Sequence, residues 1–269
     1  MTMRTPQLVR VIAVVALAAV GAVQAGAQSL ARRVTSIGNG DAQFTFASRD
    51  GVCGDGATFI HDGLGGESRI YENGNIHTGR FNGRDERACE PGPVRIVVSV
   101  ADGEVVQLRT YAGPVPGTTG ARRDLGEVSA GDAEAFLRGL AERANGRVAE
   151  KALLPLVLAD GVNPWPTLLR LARDDQGSRA VRRSAGFWLS RGAADKLGVA
   201  DADENEDDEV RASAVFALSQ QPREQSVPRL MEIVRTSRRP AVRAQALFWL
   251  GQSADARAIE LFAEILERR

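Results

Sequence analysis

The sequence predicts an α+β protein: a small β-rich module tied by a disulfide, followed by a C-terminal stack of repeated helices. Three observations carry this. From Asp41 to about Val128 apolar and polar side chains alternate at the strand period, and from Ser129 onward the period becomes that of a helix. Three ten-residue segments of the second half superimpose without gaps. The only two cysteines, Cys53 and Cys89, lie together in the first half among glycines.

The first residues read as a targeting segment rather than as part of the fold. Arg4 and Arg10 stand before an unbroken apolar run, Val11 to Val23, and Ala25 and Ala27 then form a small-x-small pattern. Basic, apolar and small segments in that order are the grammar of a signal peptide. The run is too short for a membrane-spanning helix of about 20 residues. We therefore expect a signal peptide over 1–27, no integral membrane segment after its cleavage, and a periplasmic or extracellular location. The 34 basic and 34 acidic residues balance. Removing Arg4 and Arg10 would leave 32 against 34, so no strong positive field draws the chain to nucleic acid. In an oxidising compartment two cysteines in a loop-rich region predict a Cys53–Cys89 disulfide.

The β module is expected over 28–128. Ala42–Ala47 alternates with Phe44 and Phe46 on one face. Val94–Val100 and Glu104–Tyr111 flank Asp102-Gly103, the residues of a tight hairpin turn. Between Gly51 and Gly92 ten glycines and little periodicity predict a long irregular loop held by the disulfide. The helical part is expected over 129–269. Ser129 reads as an N-cap with Asp132 three residues on, and Gly146 as the end of that helix. Asn163 with Pro164 and Pro166 pre-sets a helix start near Trp165, which stands as a secondary binding candidate.

The superimposable segments are VRRSAGFWLS from Val181, VRASAVFALS from Val210 and VRAQALFWLG from Val242; VAEKALLPLV from Val148 fits loosely, with Pro155 in its middle. Val, Arg, Ala, Phe and Leu recur at the first, second, fifth, seventh and ninth places. Further helices are expected over Pro164–Arg173, Val227–Arg235 and Asp255–Glu267. Between Ser190 and Val210 there is room only for a short one, Ala193–Val199. This pattern resembles HEAT-like repeats of the phycobilisome-lyase type, whose second helix reads roughly D-x-x-V-R-x-x-A-x-x-A-L; the match is Asp207 to Arg211 with Ala214, Ala217 and Leu218. The resemblance covers Gly146 to the C-terminus. It implies a C-terminal α-solenoid of about four HEAT-like helical repeats and carries no lyase chemistry, since no chromophore-handling motif is present.

Helical register places Val181, Ala185, Trp188 and Leu189 on one core face, with Val210, Ala214, Ala217 and Leu218, and Val242, Ala246, Trp249 and Leu250, as its counterparts. Phe187, Phe216 and Phe248 fall on the flank of each helix. They either fill the seam between repeats or form an apolar ridge open to a partner. Arg182, Arg211 and Arg243, with Arg183 beside them, either ladder between repeats by pairing with acids such as Asp175 and Asp207, or grip an acidic partner.

Catalytic signatures are missing: there is no H-E-x-x-H, G-x-S-x-G, phosphate-binding or dinucleotide-binding motif. We expect no catalytic residue, no resident metal and no cofactor. The acidic run D-x-D-x-N-x-D from Asp201 opens like a calcium loop, but Glu206 and Ala212 stand where that loop wants glycine and a bidentate Glu. The expected function is non-enzymatic: protein interaction through the repeat surface, with Phe187, Phe216, Phe248, Arg182, Arg183, Arg211 and Arg243 as binding residues. The alternative is a small-ligand or metal site, or an enzyme, in the loop 51–92, where His61, Asp62 and His77 have side chains that suit zinc.

Overall fold

A computed structural model describes residues 30–64, 69–72, 75–78, 89–117, 122–144, 146–199 and 206–268. The proposed signal peptide and most of the acidic run lie outside these.

The chain enters through a short helix, α1, over residues 30–35, whose Leu30 and Val34 are buried. Strand β1 (Gly40–Phe46) follows, then five short strands: β2 (Val52–Gly54), β3 (Ile60–Asp62), β4 (Arg69–Glu72), β5 (Asn75–Thr78) and β6 (Glu90–Pro91). The expectation of an irregular loop is thus corrected, because glycine turns break the stretch into strands too short to show a period. Cys53 and Cys89 are bonded, with Cα atoms 5.1 Å apart, and β2 lies between β3 and β6.

β7 (Val94–Ala101) and β8 (Glu104–Ala112) form the expected hairpin. Asp102 and Gly103 have φ of 53° and 78°, the paired positive values of a type I′ turn. β9 (Arg123–Glu127), unforeseen in the sequence, adds parallel to β1, giving the order β8-β7-β1-β9. One face of this sheet carries Phe44, Phe46, Ile96, Val98 and Leu108, all buried.

Helix α2 (Ala130–Arg143) is covered by its own cap. Asp132 N–H donates to Ser129 Oγ at 3.0 Å, and that hydroxyl donates to the Asp132 carboxylate at 2.8 Å. The helix stops at Arg143, and Gly146 instead opens α3 (Gly146–Lys151) with φ of 58°. Pro155 has no N–H for the carbonyl four residues back, and the chain breaks at Ala152 between α3 and α4 (Leu153–Leu158). The three helices roof the sheet: Phe136 meets Phe44 edge-on at 5.7 Å, and Arg49 N–H donates to Leu158 O.

The remaining helices are α5 (Trp165–Arg173), α6 (Arg179–Lys196), α7 (Glu206–Ser219), α8 (Arg223–Thr236), α9 (Pro240–Ser253) and α10 (Ala256–Glu267). Residues 193–196 belong to α6, so the separate short helix expected at Ala193–Val199 does not form. α5 packs on α6, α8 on α9, and α10 on both α5 and α8. The last contact is strapped by ion pairs, Arg173 to Glu260 through two bonds of 2.9 Å and Arg235 to Glu264 at 3.6 Å.

The pairing of α6 follows from glycines. α6 packs directly on α9, where Gly186 and Gly251 face each other. A Cβ on Gly251 would stand 2.5 Å from Ser190 Oγ and 3.0 Å from Gly186 O. α7 carries Val215 and Ser219 at those two repeat places and could not approach so closely. It packs instead on α8 and on the far side of α9. The two contact residues of α9, Gly251 and Trp249, are two positions apart and thus point about 200° from one another. A single apolar core runs from Leu30 through both regions to Ile265.

Candidate functional site

Repeat register alone places Phe187, Phe216 and Phe248 alike, yet packing separates them. Phe187 is 7% exposed and lies edge-on to Trp188 at 5.1 Å, inside the contacts of α6. It is core, which corrects its place in an open ridge. Phe248 is half-buried and meets Trp249 edge-on at 5.0 Å. Phe216 lies 5.2 Å from the same Trp249 and is 48% exposed. The surface that emerges is one aromatic, Phe216, standing over an indole. That indole Nε1 is itself buried with no hydrogen-bond partner among the described residues.

The core face expected for α7 is also corrected. Val215 is the buried residue, while Ala214 and Ala217 are exposed and Leu218 is half-buried; the side chain of Val210 lies outside the described ones. The helix is rotated because its neighbours are α8 and α9 alone among the contacts described, not a preceding repeat. In α6 the expected face holds, with Val181, Ala185, Trp188 and Leu189 buried; in α9 Val242, Ala246 and Leu250 are buried, but Trp249 is only half-buried.

Two of the recurrent arginines bond backbone carbonyls. Arg182 Nη1 donates to the carbonyls of Asp174 and Asp175 at 3.1 and 2.7 Å, and Arg243 Nε to that of Val234 at 3.1 Å. Each carbonyl lies at the end of the helix before, where the last C=O groups have no helical partner. In these two repeats the second residue therefore closes the C-terminus of its own first helix. Arg183 and Arg211 are exposed. Trp165, expected as an edge candidate, has its ring on α6, within 2.4 Å of where a Cβ on Gly192 would stand.

Two buried arginines were missed by sequence reasoning. Arg191 and Asp62 are 8% and 4% exposed. Arg191 Nη2 donates to Leu64 O at 2.6 Å and stands 3.4 Å from Asp62 Oδ1, which also accepts from Leu64 N–H at 3.0 Å. This joins α6 to strand β3, beside the disulfide. The available signal was a lone Arg among small residues, Ser190 and Gly192 to Ala194, in mid-helix. Arg95, at the start of β7, stacks 4.2 Å over Tyr111 and donates to Gly56 O at 2.8 Å. Burial holds its guanidinium below the usual arginine range; Tyr111 opposes this and Arg122 adds to it.

The alternative site is not assembled by the described residues. His61 Nδ1 accepts from Gly63 N–H at 3.2 Å, inside its own turn, while Asp62 points the other way to Arg191. The side chain of His77 lies outside the described ones. Among the described residues no group of three His, Cys, Asp or Glu side chains is placed to hold a metal, and no helix is long and apolar enough to cross a membrane.

With the paired helices and their arginine closures in view, comparison with known families gives one match: the family described as HEAT repeats, over residues 199–269. The C-terminal part carries HEAT-like repeats. The match takes in α7 to α10, the stretch that holds Phe216 and Trp249. No curated protein and no solved structure matches the chain.

Proposed function

We propose that the protein is an exported, non-enzymatic interaction protein that binds a protein partner through its HEAT-like helices. The observation that carries this is Phe216: a 48%-exposed aromatic on a repeat helix, seated on Trp249. Exposed aromatics over packed ones are typical anchors of protein interfaces, and stacked helical repeats supply extended binding surfaces. Phe248 borders the anchor. Arg183 and Arg211 supply charge at the surface, Arg182 and Arg243 hold the helices that present it, and Phe187 stiffens them from within.

Export, to the periplasm or the cell exterior, is supported by the Cys53–Cys89 disulfide and by the basic, apolar and small segments of residues 1–27. The organisation we propose is a signal peptide over 1–27, a β-rich module over 28–128 and a helical repeat domain over 129–269, the last a short solenoid of about four repeats of the phycobilisome-lyase pattern. The α6–α9 contact departs from strict chain order within it.

Phe216→Asp is the test. The wild-type chain, mildly crosslinked in an envelope extract, should recover a defined partner band that the variant loses while keeping its circular dichroism. Recovery of the same band by both proteins, or of none by either, would sink the reading.

A further inference from the structure

We propose that the β module binds a phosphate group at the corner where the turn after β2 meets β8, held by Arg95 from beneath and by Arg122 at the rim. The proposal does not rest on the interaction reading above and places a ligand in the other half of the molecule.

The corner is built from backbone. β7 and β8 pair so that Arg95 lies opposite Tyr111 and Val94 opposite Ala112. The turn after β2 closes on this end of the sheet. Gly56 N–H donates to Ala112 O at 2.9 Å, and a Cβ on Gly56 would stand 2.0 Å from Pro114 O. Its φ of 72° also favours glycine. Arg95, beneath this turn, is 5% exposed. Residues 114–117 and Arg122 are exposed, so the corner has an open rim.

Arg95 is a buried cation whose partners do not answer its charge. The guanidinium lies 4.2 Å from the centre of the Tyr111 ring, and its Nη2 donates to Gly56 O at 2.8 Å. Both partners are neutral. Nε is enclosed and has no hydrogen bond among the described residues. A buried charge with no opposite charge beside it is costly to hold. A guanidinium stacked on a ring keeps its N–H groups in its own plane, as the fork that takes two oxygens of a phosphate.

The acids nearby are engaged or distant. Asp55, next to Gly56, accepts from the N–H groups of Ala57, Thr58 and Phe59 at 2.9, 2.7 and 2.8 Å. Asp41 stands 3.9 Å from Arg109 Nη2, so that pair cancels. Asp124 and Glu127 lie on β9, two strands from β7 and so roughly 10 Å away. Among the described residues, the ionisable groups that act on Arg95 are Tyr111 and a second cation, Arg122.

The charge that remains selects the ligand. Arg95 and Arg122 together carry two positive charges, and a phosphate group carries about −1.5 to −2 at neutral pH. A carboxylate would leave one of the two unmet.

The test is isothermal titration calorimetry of the full chain with inorganic phosphate, with acetate and chloride at matched ionic strength beside it. Calorimetry is chosen because phosphate raises melting temperatures even without a site. Phosphate should bind at one per chain, acetate about tenfold more weakly or less, and chloride not at all. Arg122→Gln, at an exposed position, should weaken phosphate about tenfold, and Arg95→Gln should abolish saturable binding. If Arg95→Gln fails to fold, Arg122→Gln alone decides. Arg229→Gln, at an exposed arginine of α8, should change nothing. Phenyl phosphate separates the sources: binding as tight as that of phosphate means that a phosphate ester is accepted, and weaker binding that the free ion is preferred. Absence of saturable phosphate binding, binding unchanged in Arg122→Gln, or acetate binding as tight as phosphate would overturn the proposal.

Discussion

Arg191 and Asp62 show how much a single pair can hold. Each is nearly enclosed, and each keeps one atom, Arg191 Nε and Asp62 Oδ2, without a hydrogen bond among the described residues. Removing one partner strands the other charge in the interior, at a cost of about 3–5 kcal/mol. Arg191→Ala should therefore lower the melting temperature strongly, and Arg191→Met with Asp62→Leu should recover much of the loss; a double variant no better than the single would exclude this account. Trp249 is the opposite case. Its buried indole N–H has no partner among the described residues, so Trp249→Phe should keep stability within about 1 kcal/mol, while Trp249→Ala should cost about 3–5 kcal/mol. Two carboxylates contribute to the acid limb. At Asp55, burial raises the pKa, but hydrogen bonds from Phe59 and Ala57 N–H and from Thr58 outweigh it; at Asp255, the Arg257 hydrogen bond lowers it. Both stand below the usual carboxylate range near 4. Their contribution is complete above that value and is lost as pH falls through their lower folded values, so urea midpoints should drop steeply below about pH 4. A flat midpoint in that range would exclude the effect.

At the scale of elements, the α6–α9 crossing depends on two missing side chains. Gly251→Leu would drive its Cβ into Ser190 and the Gly186 carbonyl, and overpacking of this kind costs about 1–3 kcal/mol or more; Gly251→Ala should show a graded part of it by thermal melting. What the sequence made legible was whatever repeats locally. The hairpin at Asp102-Gly103, the Ser129 cap and the buried faces of α6 and α9 follow from turn chemistry and period. The fate of α7 was not legible, because its pattern matches its sisters and only Gly186 and Gly251, at the sixth and tenth places of their repeats, decide which helix α6 chooses. β9 was hidden for a similar reason: Arg-Asp-Leu-Gly-Glu alternates nothing, and its place beside β1 is set by the sheet edge rather than by its own side chains. Of the proposed surface residues, register indicated Phe216, but exposure separated it from Phe187.

For the whole molecule, the disulfide and the continuous core set how it unfolds. Opening Cys53–Cys89, whose positions are 36 apart in sequence, removes about 3–4 kcal/mol on the chain-entropy model. Because Arg191 fastens that region to α6, reduction should lower a single transition rather than split it into two; two separate transitions by calorimetry would show the halves to be independent. The sheet keeps its roof only with α2 to α4. A chain ending at 128, with Phe44 and Phe46 uncovered, should therefore not fold.

The glycine contact between α6 and α9 also orders events in time. A helix that stacks on its immediate successor can be buried as soon as that successor is made. α6 cannot, because its mate lies beyond α7 and α8 in the chain. From the moment Gly186 is synthesised until Gly251 appears, the surface that will form the crossing has nothing to close on. Contacts of such long separation slow folding, and the waiting apolar surface is a hazard for aggregation. The position that gives the finished protein its outlying helix is also where a nascent chain would most need a chaperone.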